Sequence, residues 1–151
     1  MKNTYKLLSI IAMIAVIALS MTACDLGDPG DDGIPKYLII TGISNDLIGK
    51  QITVAICDSD KKGDPKIVAL DQITSAATVT SQLVSGNENK KGGNFTGTGD
   101  FYILLFFDVN NTKDNLKDDT CYAYTAGSAL TKKYNIKNAQ STIAFSQFAL
   151  Q

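Results

Sequence analysis

Phe101-Tyr102-Ile103-Leu104-Leu105-Phe106-Phe107 is apolar at every position except for one phenolic hydroxyl, and it is bounded by Asp100 and Asp108. Successive side chains of an extended strand point to opposite faces. An unbroken apolar run therefore needs cover on both faces, which places it in the middle of a sheet between two layers. Left uncovered, such a segment would be a template for aggregation.

The neighbouring stretches are shorter and read as strands separated by turns. Gln51-Ile52-Thr53-Val54-Ala55-Ile56-Cys57 alternates, with Ile52, Val54 and Ile56 on one face. Tyr37-Leu38-Ile39-Ile40-Thr41 is β-branched and apolar until Gly42 interrupts it, and residues 43–50 are rich in turn formers. Residues 58–66 form a charged turn, and 67–77 fit a strand or a short helix equally. Residues 78–84 read as an edge strand, and 86–99 as a long polar, Gly-rich hairpin connection. Beyond the central run come a polar loop over 110–119 and strands over 121–125, 132–137 and 141–148, the last with Ile143 and Phe145 inward. About seven short strands at near-regular spacing predict an all-β fold, a two-sheet antiparallel β-sandwich, Ig-like or related, over residues 35–151.

Composition supports this reading and excludes some partners. All 14 basic residues of the 151 are Lys; Arg, His and Trp are absent, and Glu88 is the only Glu. Asp favours turns over helix interiors, so the acidic bias points away from a helical protein. A mildly acidic chain without Arg lacks the electrostatic footprint of a nucleic-acid binder.

The N-terminus sets the expected compartment. Lys2 and Lys6 precede the apolar run Leu7-Leu8-Ser9-Ile10-Ile11-Ala12-Met13-Ile14-Ala15-Val16-Ile17-Ala18-Leu19, the order of an export signal. Leu19-Ser20-Met21-Thr22-Ala23-Cys24 resembles the lipobox of bacterial lipoproteins, with Met21 where Leu is commoner. That resemblance implies cleavage of residues 1–23 and lipidation of Cys24, leaving 128 residues with 12 Lys against 15 acidic groups. Each buried CH₂ contributes ~0.8 kcal/mol, so two or three acyl chains anchor a domain stably where one does not. Residues 24–34, rich in Asp, Gly and Pro, then read as a flexible tether. The expected location is the cell envelope, extracytoplasmic, at the outer membrane or cell surface rather than the inner membrane.

Three further segments carry a family resemblance. They are Leu38-Ile39-Ile40-Thr41-Gly42-Ile43 with Gly49-Lys50, Phe95-Thr96-Gly97-Thr98-Gly99-Asp100-Phe101-Tyr102-Ile103-Leu104-Leu105, and Thr142-Ile143-Ala144-Phe145-Ser146-Gln147-Phe148. In this order and spacing they resemble small spirochaete-type lipoproteins. The resemblance implies an envelope-anchored β domain and carries over no catalytic residue.

Candidate chemistry is sparse. Without His, neither Ser-His-Asp nor Cys-His catalysis can be built. Cys57 and Cys121 remain once Cys24 goes to lipid: either a disulfide, which would stabilise by ~4 kcal/mol in the chain-entropy model, or two buried thiols packed as small hydrophobes. Asp58, Asp60 and Asp64 sit near a calcium-loop pattern, but Lys62 and Ala69 occupy two of its ligand positions, and a solvated hairpin turn is the expectation. Ser59-Asp60-Lys61-Lys62 matches Ser-x-x-Lys in an exposed turn rather than at a helix start. Tyr102, Tyr122, Tyr124 and Tyr134 fit a binding surface or, more simply, cross-strand core pairs. The sequence therefore predicts a lipid-anchored, non-enzymatic interaction or structural module without cofactor. Its partners would be the membrane through Cys24 and a protein or ligand met by loops 58–66, 86–99 and 110–119 at one end. The alternative is a small-ligand-binding domain or a cation-dependent adhesin.

Overall fold

The computed structural model describes residues 31–87, 90–110, 116 and 118–151; the expected signal, Cys24 and the tether up to residue 30 lie outside the described residues. The central run forms the ten-residue strand β7 (Gly99–Asp108), numbered after β1 (Tyr37–Thr41), β2 (Gln51–Cys57), β3 (Ile67–Thr74), β4 (Thr78–Gln82), β5 (Val84–Asn87) and β6 (Lys90–Asn94). After it come β8 (Thr120–Tyr124), β9 (Lys133–Ile136), β10 (Gln140–Ala144), a 3₁₀ turn (Phe145–Gln147) and β11 (Phe148–Leu150).

These strands build two packed sheets, the all-β sandwich that the spacing predicts. The larger has the order β11-β8-β7-β2-β3-β5-β6, and the smaller β10-β1-β4. β7 is central in the larger sheet: β2 pairs along it from Tyr102 to Asp108 on one side, while β9 and then β8 share the other. Ile103 to Phe107 are five consecutive buried residues, so the apolar run is covered on both faces. Ile103, Leu105 and Phe107 join Ile52, Val54 and Ile56 in the inner core against the smaller sheet. Leu104 and Phe106 face outward with Ala55, Cys57, Leu70, Cys121 and Ala123.

In the smaller sheet, Leu38 and Ile40 of β1, Val79 of β4 and Ile143 of β10 supply the apolar alternation facing inward. Ile40 is opposite Val79 in an antiparallel pair and opposite Ile143 in a parallel one. The parallel β1–β10 pairing is a departure from an all-antiparallel reading. It is possible because the intervening chain is long enough to return β10 in the same direction.

One open alternative is settled and two segments differ from the sequence expectation, each for a physical reason. Of the strand and helix readings of residues 67–77, residues 67–74 are strand, because Ala69 and Leu70 fall opposite Ile56 and Ala55 of β2 and are buried there. The connection 86–99 is in part the β5–β6 hairpin, made by backbone pairing that its Gly-rich sequence does not advertise. The run 141–148 is divided, because the chain passes between sheets at the 3₁₀ turn. A second crossing lies at Leu83: its N–H donates to the Lys36 carbonyl (3.1 Å) and its carbonyl accepts from Phe95 (2.9 Å).

Among the described residues, contacts to the sandwich are made from Asp31 onward, ahead of Pro35. Asp31 bridges Gly97, and its carboxylate accepts the Gly33 N–H at 2.8 Å. Asp32 accepts the Ile34 N–H at 3.0 Å and pairs with the Lys36 ammonium at 2.6 Å. Lys36 is only 1% exposed, so this ion pair is what makes its burial tolerable.

Candidate functional site

The sandwich explains the inner face of the large sheet; the outer face needs other cover. Register places Cys57, Ala55 and Thr53 of β2 beside Tyr102, Leu104 and Phe106 of β7, and these beside Ala123 and Cys121 of β8. The small side chains Ala55, Ala123 and the two cysteines leave room for a covering segment to lie close. Leu116, from the β7–β8 connection, packs on this cluster. The β2–β3 hairpin extends past the sheet through Asp58 N–H to the Lys66 carbonyl and Ser59 N–H to the Pro65 carbonyl. The C-terminal residue ties it down: the Gln151 backbone N–H donates to the Cys121 carbonyl, and Gln151 Nε2 donates to the Asp60 carbonyl (3.2 Å) and to Thr131 (3.3 Å).

Of the two readings of the cysteines, the geometry fits the pair of buried thiols. Cys57 and Cys121 share the face but are both free thiols. Cys57 lies opposite Tyr102, and Cys121 lies opposite Phe106 on the far side of β7. They are thus two strands apart, roughly 9–10 Å, and four residues apart along the strands, roughly 13 Å. A disulfide needs Cα atoms within about 7 Å. Burial pushes both thiols up in pKa, Cys121 to about 12, with the second thiol adding a smaller push on Cys57 and Lys62 partly offsetting the effect at Cys121. Thiols held protonated in this way are poor nucleophiles and poor metal ligands. They act here as small apolar packing groups.

Asp119, buried beside this cluster, is also raised, by burial first and the Asp108 carboxylate second, with Lys62 opposing. Asp58, Asp60 and Asp64 all fall on the hairpin, whose turn is closed by Asp64 N–H donating to the Lys61 carbonyl at 3.1 Å. Among the described residues, no three His, Cys, Asp or Glu gather as a metal ligand set. Ser59 Oγ accepts the Lys61 N–H (3.3 Å), a local turn bond rather than an activated serine above a buried lysine.

The tyrosines divide between the faces. Tyr122, Tyr124 and Tyr134 pack on the inner core: Tyr124 meets Tyr134 edge-on at 5.2 Å and Phe148 at 5.8 Å, and Tyr122 meets Phe107 at 5.7 Å. Burial, then Tyr134, raises the Tyr124 phenol. Tyr102 is alone on the outer face, with the Lys133 ammonium 5.4 Å from its ring centroid. The four do not form a joint binding surface.

The three loops expected together at one end are separated. Loop 58–66 leaves the sheet beside Tyr102, whereas the 110–119 connection leaves beside Gln51, at the opposite end of β2. Sequence reading missed the Asp31–Asp32–Lys36 latch, although Asp-Asp-Gly-Ile-Pro-Lys carries the signal: two Asx turns and an acid four residues before a lysine. The Lys36 hydrogen bond first, and the Ile34 N–H second, hold the Asp32 carboxyl below its ordinary range. Thr96, then Gly33, does the same for Asp31.

Fold and site together define a two-sheet all-β domain with a thiol-bearing, loop-covered outer face. No known family model, curated protein or solved structure matches the chain.

Proposed function

We propose that this chain is a lipid-anchored envelope protein whose β-sandwich works through its surface, as an interaction or structural module rather than an enzyme. One observation carries the anchoring: Lys2 and Lys6, the apolar run and Leu19-Ser20-Met21-Thr22-Ala23-Cys24 stand in the order of a lipoprotein export signal. The non-enzymatic half is supported by chemistry. The chain has no His, its two remaining thiols are held protonated by burial, and the acidic residues of loop 58–66 lie on a hydrogen-bonded hairpin.

The test is mass spectrometry of the N-terminal peptide from membranes, with detergent-phase partitioning of the wild type and Cys24→Ala. A mature chain starting at Cys24, carrying acyl mass and lost from the detergent phase in Cys24→Ala, is the expected result. An unmodified Cys24 would remove the anchoring reading. Protease treatment of intact cells beside lysed ones then separates a surface location, where intact cells lose the domain, from an inward-facing one.

A further inference from the structure

A strand that ends a sheet leaves a row of N–H and C=O groups without a ladder partner, and such a row pairs with another strand unless something guards it. The edges of this sandwich are guarded unequally. β11 is only three residues long. β6 meets β5 through a register shift. β9 holds Lys133 and is flanked by Lys132 and Lys137. β4 is capped from the other sheet, where the Asp71 carboxylate of β3 accepts the Gln82 N–H at 3.0 Å. β10 has no such device. Gln140-Ser141-Thr142-Ile143-Ala144 carries no charge, Pro or Gly, and pairs with β1 over its whole length without a shift. Among the described residues, no strand pairs with its other side.

The direction of the free groups follows from one hydrogen bond. The Tyr37 N–H donates to the Ala139 carbonyl at 2.8 Å, so residues 139, 141 and 143 turn their backbone groups to β1, and Gln140, Thr142 and Ala144 turn theirs away. The same three side chains are exposed on the solvent face, while Ser141 and Ile143 are buried. That face is free of charge around them: Thr142 stands beside Ile39, and Ile39 beside Thr80; Gln140 stands beside Tyr37, and Tyr37 beside Gln82.

We infer that β10 pairs with β10 of a second copy of this chain, antiparallel about a two-fold axis at Thr142, joining the two smaller sheets into one. Such an isologous contact needs a strand complementary to itself. Centred on Thr142, the pairing sets Thr142 opposite Thr142 and Gln140 opposite Ala144, so the outward-turned backbone groups meet one another. Threonines make a favourable cross-strand pair. No like charges oppose each other, since Lys137 falls opposite Gln147 of the second copy. A foreign segment finds no charge on β10 to select it, whereas the strand itself supplies the matching register. The contact is small, which places the dimer in the weak, concentration-dependent class. The inference rests on the reading of the sandwich as a surface-acting module and is independent of the lipid anchor.

The test uses the full chain, purified with detergent micelles in excess, and cysteines at two exposed positions: Thr142→Cys on the axis and Thr80→Cys on β4. Wild type, with Cys24 and the buried Cys57 and Cys121, is the blank. A hydrogen-bonded antiparallel pair holds its Cα atoms about 5.5 Å apart, inside the range that a disulfide bridges. Copper-phenanthroline in air should link Thr142→Cys into dimers several-fold faster than Thr80→Cys or the wild type. Thr142→Lys sets two ammonium groups face to face and should shift sedimentation from dimer to monomer, with the denaturant melt unchanged in dilute solution. A wild type that stays monomeric up to about 0.1 mM, or equal linking at positions 142 and 80, would overturn the pairing. Linking in whole cells that joins position 142 only to a different protein would overturn the second copy while keeping the surface-acting reading.

Discussion

The two faces of the large sheet are both dry, yet they are built differently. The inner face is closed by another sheet and filled with large side chains: Phe107 touches Tyr122 and Phe145 edge-on, at 5.7 and 6.0 Å. The outer face carries Ala55, Ala123, Cys57 and Cys121 between Leu104 and Phe106, and the cover described over it is connection rather than strand. A sheet cannot collapse into a void without breaking its register, whereas a loop can settle inward. The same degree of burial should therefore be worth more on the inner face.

The sharpest measure of that difference is a pair of adjacent substitutions. Phe106 and Phe107 are both fully buried and point to opposite faces. Phe→Ala in a core costs about 3–5 kcal/mol, with the spread set by how far the site can relax. Aromatic edge contacts add ~0.5–1.5 kcal/mol per pair. Phe107→Ala should fall near the upper end and Phe106→Ala near the lower, with at least about 1 kcal/mol between them in denaturant melts. Equal losses, or the reverse order, would mean that the outer cover is as rigid as the inner sheet.

A second break can be made where the inner core is plugged. A Cβ on Gly97 would sit 2.7 Å from the Phe95 ring, which is buried and packed edge-on against Phe101 at 5.7 Å. Gly97→Ala must displace that ring, at a cost of about 1–3 kcal/mol. Gly97→Ala combined with Phe95→Leu should lose less than the two single changes added together. Strict additivity would show that Phe95 is not what Gly97 accommodates.

The outer face has its own signature in pH. Both thiols have folded values above the ordinary 9.0, because burial disfavours the thiolate. As pH rises past 9.0 the unfolded chain loses thiol protons that the folded chain keeps. Stability is then full below about pH 9 and declines as pH climbs toward the folded values, with a slope approaching ~1.4 kcal/mol per pH unit per thiol. Cys57→Ala/Cys121→Ala should flatten the decline between pH 8.5 and 10.5 relative to wild type. An unchanged slope would show that the two thiols do not set it.

How much of this was legible beforehand depends on the kind of interaction. Phe101-Tyr102-Ile103-Leu104-Leu105-Phe106-Phe107 announced a strand covered twice, because burial is written directly in side-chain polarity. The hairpin connection over 86–99 did not announce its own strands β5 and β6, since their pairing is made by the backbone of Lys90-Lys91-Gly92-Gly93-Asn94, a stretch with no strand pattern in its sequence. The choice between a disulfide and two buried thiols stayed open for a related reason: an even number of cysteines is visible in a sequence, but register is not, and register holds these two apart. The latch lay within a stretch whose composition reads as tether, and only the partner Gly97, far along the chain, makes Asp31 a fixed point.

The smallest expected effect is a gain, and it tests whether the inner face is as finished as its aromatic packing implies. Ser81 of β4 is fully buried opposite Leu38, and its hydroxyl is the one buried side-chain polar atom among the described residues without a hydrogen-bond partner. A buried hydroxyl with no partner carries its desolvation cost unrelieved, and its removal leaves a void of only one oxygen. Ser81→Ala should therefore hold or raise stability, by up to about 1 kcal/mol, with an unchanged denaturant slope. Ser81→Val, which adds apolar volume against Leu38, separates a site that is merely polar from one that is also loosely filled: a further gain would mean spare room, and a loss would mean that the small side chain is required by the close approach of the sheets. A clear loss in Ser81→Ala itself would show that the hydroxyl is hydrogen-bonded in solution, and that the inner face is less dry than its packing implies.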